Sequence, residues 1–189
     1  FSFYPTKSLS CYGDGGAITT NNKKIYEILK SIRVHGKSEK NGKFDRIGLT
    51  GRLDTIQATV LLEKLKKFRL EQKLRIGIAK IYKNAFKKNK LIKTQKIEKH
   101  SLSTFSVFSI EFNNNKLKNK VISKFKKNKI GYNVYYKRPM HLEKVFFNLG
   151  LKKNSFPKSE NLSRNILSIP IDPYMKKKDI IKIIKIIND

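Results

Sequence analysis

The chain has no tryptophan, one cysteine and two methionines among 189 residues. A lone Cys11 excludes an intramolecular disulfide and a cysteine-rich zinc site, and it fits a reducing compartment. No stretch approaches the roughly eighteen consecutive apolar residues of a bilayer span. No charged head followed by an apolar run opens the chain, so no signal peptide is expected. Phe1 stands where an initiator methionine would, and the chain is expected to be a piece of a longer protein. The three histidines, His35, His100 and His141, lack metal-ligand spacing. Nor is there a Ser/His/Asp order, an HExxH, a GxGxxG or a Walker loop.

Acid is also scarce: 14 Asp and Glu against 43 Lys and Arg, for a net charge of +29. Such a balance suits nucleic acid or an anionic membrane. Yet only seven of those basic residues are Arg, the side chain that dominates base and phosphate recognition. The lysines are spread over every segment among Ile and Asn, as on a solvated basic surface. A nucleic-acid-binding module stays as an alternative. Salt-dependent DNA binding would separate it from an enzyme.

What the sequence does have begins at its first twenty residues. Lys7 follows Pro5 and precedes Gly13, Gly15 and Gly16. Phe3, Tyr4 and Leu9 are placed to wall it off from water, and Ser2 and Thr6 offer hydroxyls. An ammonium in a poorly solvated pocket becomes a usable nucleophile or Schiff-base former. The spacing is equally that of a plain loop lysine before a glycine turn. A second informative run is Ile47-Gly-Leu-Thr-Gly-Arg-Leu-Asp-Thr-Ile-Gln-Ala58. A helix start beside a Gly-Thr-Gly turn can hold an anion, and Arg52 adds a fork-shaped cation. An ordinary capped helix with a solvated Arg reads the same way. The third run is Tyr135-Tyr136-Lys-Arg-Pro-Met-His141, at the end of an expected strand, where an exposed edge is the plain reading.

Periodicity predicts a strand over 16–20 and a helix over 23–34 capped by Asn21 or Asn22. A polar, glycine-punctuated loop follows over 35–49. One long helix then runs from about Leu53 to Phe86, expected to bend near 68–77 and to bridge two domains or pack along a partner. Residues 87–103 read as irregular. Strands are expected over 104–112, 130–136 and 166–170, and helices over 116–128, 142–149, 159–165 and 177–187. This order fits a small α/β sandwich with helices over one sheet face.

Together the motifs resemble one family. Ser2-Phe-Tyr-Pro-Thr-Lys7 with Tyr12-Gly-Asp-Gly-Gly-Ala-Ile resembles the lysine segment of the DegT/DnrJ/EryC1 pyridoxal-phosphate sugar aminotransferases. Arg33-Val-His-Gly36 and the 47–58 run resemble its next two signatures. The 47–58 run is especially similar to that of members aminating UDP-linked 3-keto sugar acids. Tyr135-Tyr136, Pro139-Met-His141, Phe156-Pro157, Leu167-Ser-Ile-Pro170 and Pro173-Tyr174 follow in the family's order.

The resemblance implies an α/β fold, the C-terminal part of a fold-type I transferase. Residues 1–70 would end the large cofactor-binding domain and 71–189 would form the small α/β domain. It implies pyridoxal 5′-phosphate as cofactor, with Lys7 as Schiff-base partner and general base and Ser2 as phosphate ligand. In relatives, Asn usually stands at the position of Thr50 and reaches the neighbouring subunit's cofactor phosphate; Thr50 has a shorter reach. Arg52 and Tyr136 match positions that in relatives lie near the nucleotide sugar or the neighbouring subunit's cofactor, and Tyr135, His35 and His141 are further candidates for the same pocket. The implied reaction moves an amino group, from glutamate, to a nucleotide-linked keto sugar for surface polysaccharides. A cytoplasmic homodimer is expected, with no membrane and no specific nucleic acid as partner. Dehydratase-like relatives carry histidine in place of the lysine, so Lys7 argues against that reaction. The family's preceding half carries the acid that pairs with the pyridine nitrogen, so these 189 residues alone are expected not to transaminate. An inactive remnant is the remaining alternative.

Overall fold

The computed structural model describes residues 1–189. The chain divides into two compact units, Phe1–Arg69 and Leu70–Asp189. Helix α2 (Thr55–Phe86) contributes to both. It is a single 32-residue helix, begun where the Ala58 N–H finds the Asp54 carbonyl at 2.9 Å. No helix is long and apolar enough to cross a membrane.

The first unit is mostly loop. Helix α1 (Lys23–Ile32) starts where Asn22 turns from extended backbone, its side chain accepting the Ile25 N–H at 3.2 Å. An unmet first-turn donor is satisfied there, which fixes the helix start. The strand expected over 16–20 shrinks to one bridge, Ser2 opposite Gly16. Its ladder ends where the Ala17 N–H meets the Phe1 carbonyl.

The second unit is a three-stranded antiparallel sheet with helices against it. Strands β1 (Ile92–Thr94), β2 (Phe108–Phe112) and β3 (Ile166–Ile169) lie in the order β1-β2-β3. Period-2 alternation along β2 buries Phe108, Ile110 and Phe112. The register sets Phe108 against Ile169 and Ile110 against Leu167, so apolar pairs share one face. Onto the same core pack Tyr82 and Phe86 of α2, Val121 and Phe125 of α3 (Asn115–Lys127), and Ile180, Ile183 and Ile187 of α5 (Lys177–Asn188). Ser109 and Ser168 stand directly opposite each other, their hydroxyls 2.8 Å apart. Tyr82 is fully buried and donates to the Pro170 carbonyl at 2.9 Å; burial pushes its phenol well above the usual value.

Five further expectations change here. β2 begins at Phe108 rather than 104, because Phe105 adopts φ +47° and breaks the extended run. Residues 130–136 form no strand: only Asn133 pairs, exchanging both backbone bonds with Ser168. The chain turns at Tyr135 directly afterwards. Strand β1 lies inside the stretch expected to be irregular, and only Ile92 of its three residues is buried. The helix expected over 142–149 is two 3₁₀ turns, Met140–Leu142 and Lys144–Leu149, parted by an extended Glu143. Helix α4 (Pro157–Asn165) starts two residues early because Pro157 suits a first helical position.

Candidate functional site

Lys7 sits at the tip of a loop closed at its base. The Phe3 N–H bonds to the Gly15 carbonyl and the Cys11 N–H to the Phe3 carbonyl, both at 2.8 Å. The buried Cys11 thiol reaches the carbonyls of Phe3 and Gly13, each at 3.2 Å. A Cβ on Gly15 would lie 2.8 Å from that sulfur, so only glycine lets the two strands of the loop close. Pro5 presets the turn in which the Lys7 N–H bonds to the Tyr4 carbonyl at 2.8 Å.

The apolar wall expected around Lys7 is not formed by its neighbours. Lys7 is exposed, Tyr4 is 48% exposed, and Phe3 and Leu9 are only partly buried. A four-residue turn lifts Lys7 away from the residues beside it, so those side chains cannot enclose its amine. Ser2 is exposed on the same loop. Its hydroxyl oxygen lies 3.4 Å from the Tyr4 N–H, leaving the hydroxyl hydrogen free to donate.

Behind this loop runs α2. Gln57 Oε1 accepts the Tyr12 N–H at 2.8 Å, and Lys64 Nζ donates to Ser10 Oγ at 3.1 Å. Lys64 also lies 5.0 Å from the centre of the Tyr12 ring. Sequence reasoning missed both residues as contributors. Gln57 stood within a quoted motif, but nothing in its spacing shows which loop it meets.

The second motif folds into a laced loop. Val34 bridges Thr50, the His35 N–H meets the Leu49 carbonyl, and the Gly51 N–H meets the Arg33 carbonyl. His35 adopts φ +60° and Gly36 +82°, the left-handed region. Thus His35, Thr50 and Arg52 come together, all exposed. A cavity of about 860 Å³ opens beside them, lined by Arg33, Arg52, Gly15, Gly16, Phe1 and Ile18 among others. Lys30, also on its wall, is held above its ordinary value chiefly by its hydrogen bond to Glu39.

The remaining expected residues belong to the second unit. Tyr135 and Tyr136 are exposed, their rings edge to face at 5.6 Å. His141 is buried, its Nε2 3.1 Å from Glu160 Oε1 and its ring 4.9 Å from that of Phe156. The same carboxylate oxygen accepts the Asn154 N–H at 2.7 Å. Burial works to raise the Glu160 carboxyl. The Asn154 N–H, His141 and the Phe156 backbone outweigh it and hold the group below its ordinary value. His141 is thereby committed to an internal pair that ties the 140–142 turn to α4.

The DegT/DnrJ/EryC1/StrS aminotransferase family matches residues 1–188. The UDP-2-acetamido-2-deoxy-3-oxo-D-glucuronate aminotransferase of Pseudomonas aeruginosa is 32% identical over 92% of this chain and 46% of its own length. The crystal structure of a DegT DnrJ EryC1 StrS aminotransferase from Brucella abortus superposes with a TM-score of 0.88 at 39% identity, over 98% of this chain and 48% of that one. The PLP form of the Streptococcus pneumoniae putative sugar aminotransferase Spr1654 has the same fold, with a TM-score of 0.85 at 18% identity, over 100% of this chain and 49% of that one. The chain therefore spans about half the length of the relatives it matches. Motif order, α/β fold and family model agree, and the chain belongs to the DegT/DnrJ/EryC1/StrS aminotransferase family.

Proposed function

We propose that the chain carries the lysine segment and the C-terminal part of a pyridoxal-phosphate aminotransferase acting on a UDP-linked keto sugar. Glutamate is the amino donor, and the product serves surface polysaccharide synthesis. The observation that carries this reading is Lys7, an exposed primary amine at the tip of a loop whose base is closed. The residues present fit the cofactor's two ends. Lys7 would hold the aldehyde end, and Ser2, with its hydroxyl hydrogen free, would hold the phosphate. Thr50 offers a second, shorter hydroxyl donor, from the neighbouring copy in a homodimer. Bound pyridoxal phosphate supplies an electron sink for charge developing at the adjacent carbon.

The chain's own residues then have distinct tasks. Lys7 Nζ holds the cofactor and, once released, takes and returns the proton at the substrate carbon. Arg52, with Arg33 beside the same cavity, is suited to a diphosphate or a sugar carboxylate. His35, Tyr135 and Tyr136 are exposed and open to the nucleotide sugar. The similarity to the P. aeruginosa UDP-sugar enzyme supports the choice of nucleotide. Residues 1–70 belong to the cofactor-binding domain and 71–189 to the small one, in a cytoplasmic enzyme.

The test uses the full-length protein with added pyridoxal phosphate. A visible absorbance band of lysine-bound cofactor is expected, lost in Lys7→Ala. Glutamate-dependent amination of a UDP-linked 3-keto sugar should disappear with it. A band that survives in Lys7→Ala overturns the assignment.

A further inference from the structure

Two side chains of α2 seat the loop that carries Lys7, and neither touches the reactive amine. Residues 57 and 64 are seven apart, close to two full turns, so they project from one face of the helix. Both point at the segment directly after Lys7. Gln57 Oε1 takes the Tyr12 N–H at 2.8 Å, while Lys64 Nζ holds Ser10 Oγ at 3.1 Å and lies 5.0 Å from the Tyr12 ring centre. Between those anchors Cys11 is fully buried, and its backbone and thiol both bond to the Phe3 carbonyl. Ser10 is also buried, three residues from Lys7. The fit at Gly13 is close, since a Cβ there would lie 3.2 Å from Gln57 Nε2. The Lys7 side chain makes no hydrogen bond or ion pair, and its neighbours leave it exposed. The position of its backbone, from which the amine extends, is therefore set by the base of its loop.

We infer that Gln57 and Lys64 are positioning residues for Lys7, acting through the Ser10–Tyr12 segment. The inference rests on the reading of Lys7 as the cofactor lysine. Gln57 supplies the specific part: it satisfies a backbone donor that no other group in the chain satisfies, and it does so from a rigid helix. Lys64 adds a second, more adaptable grip. Loss of one neutral hydrogen bond of this kind corresponds to about a fivefold change in the population of the seated loop.

The experiment combines reductive trapping and hydrogen exchange in the full-length protein. Pyridoxal phosphate is added, borohydride fixes it to amines, and mass spectrometry reads the rate at Lys7 against the other lysines. Amide exchange is followed over residues 8–15 in parallel. In Gln57→Leu, trapping at Lys7 should slow about fivefold while other lysines are unchanged, and exchange over 8–15 should speed up by a similar factor. Gln57→Glu keeps the acceptor oxygen and should restore both. Lys64→Met, at a partly exposed position where the fold tolerates change, should move both readouts in the same direction as Gln57→Leu. Equal trapping at Lys7 in all variants, or loop exchange unchanged in Gln57→Leu and Lys64→Met, overturns the inference while leaving Lys7 as the cofactor lysine. Absence of Lys7 from the trapped peptides of the unsubstituted protein overturns the reading of Lys7 itself, and the inference with it.

Discussion

Replacing Gly36 by Ala tests whether the 33–52 loop depends on close backbone approach. Gly36 adopts φ +82°, and a Cβ there would lie 1.7 Å from the Arg46 carbonyl oxygen and 2.7 Å from its carbon. Two terms follow. An L-residue in the left-handed region costs roughly 1–2 kcal/mol. Relieving the overlap pushes residues 43–46 away, losing the Asp45 N–H to Gly36 carbonyl bond (3.2 Å) and the Ser38 N–H to Lys43 carbonyl bond (2.7 Å). At about 1 kcal/mol each these contribute about 2 kcal/mol, so the total is about 3–4 kcal/mol. Gly42 is the internal control. It also has a positive φ, +71°, but nothing lies within 4 Å of its would-be Cβ. Gly42→Ala should therefore show the conformational term alone, roughly 1–2 kcal/mol. Amide exchange over residues 32–51, read by mass spectrometry, should be about thirtyfold faster in Gly36→Ala than in Gly42→Ala, at 1.36 kcal/mol per decade. Exchange rates that agree within about twofold would refute the argument that contact with Arg46, rather than backbone preference, demands glycine at 36.

Two further outcomes follow from the second unit. The Glu160 carboxyl lies below its ordinary 4.5 in the folded chain, so the ionised form stabilises the fold above that value. That contribution is lost as the pH falls below 4.5 through the folded value; a urea titration of Glu160→Gln should therefore be flatter than that of the parent across this range, and parallel curves would count against the His141–Glu160 pair. Tyr82→Phe keeps the ring and removes the bond to the Pro170 carbonyl, so stability should fall by about 1 kcal/mol with the denaturant slope unchanged.

Much of the architecture was legible in the sequence where local chemistry and periodicity agree. Asn22 precedes a regular apolar face in α1, and its side chain does cap the helix. Helices α3 and α5 bury the Val121, Phe125, Ile180, Ile183 and Ile187 faces that their spacing indicates. Strand β1 was hidden because one buried Ile92, between an exposed Leu91 and Lys93, carries too little alternation to register. The 130–136 segment has a strand's composition, but a ladder needs a partner for more than Asn133. Phe105 shows the opposite failure, since an aromatic in an alternating run hides a left-handed turn. At the site, the motif residues of the first unit lie on two ordered loops. The exposure of Lys7 follows from a turn that composition does not reveal. The Glu160 partner of His141 and the Gln57 partner of Tyr12 are 19 and 45 residues away, distances at which only the fold makes neighbours.

The facing hydroxyls of Ser109 and Ser168 act as an index mark for the sheet. Strands of three, five and four residues offer few ladder bonds, so misaligned pairings differ little from the right one in backbone terms. A slip of β3 by one residue would turn Ser168 toward the phenylalanine side and leave both hydroxyls without partners. The penalty falls on wrong alignments alone, because the native one satisfies both groups with each other. A sheet this short thus draws its uniqueness from a polar pair, while the aromatic core beneath it supplies the bulk of its cohesion.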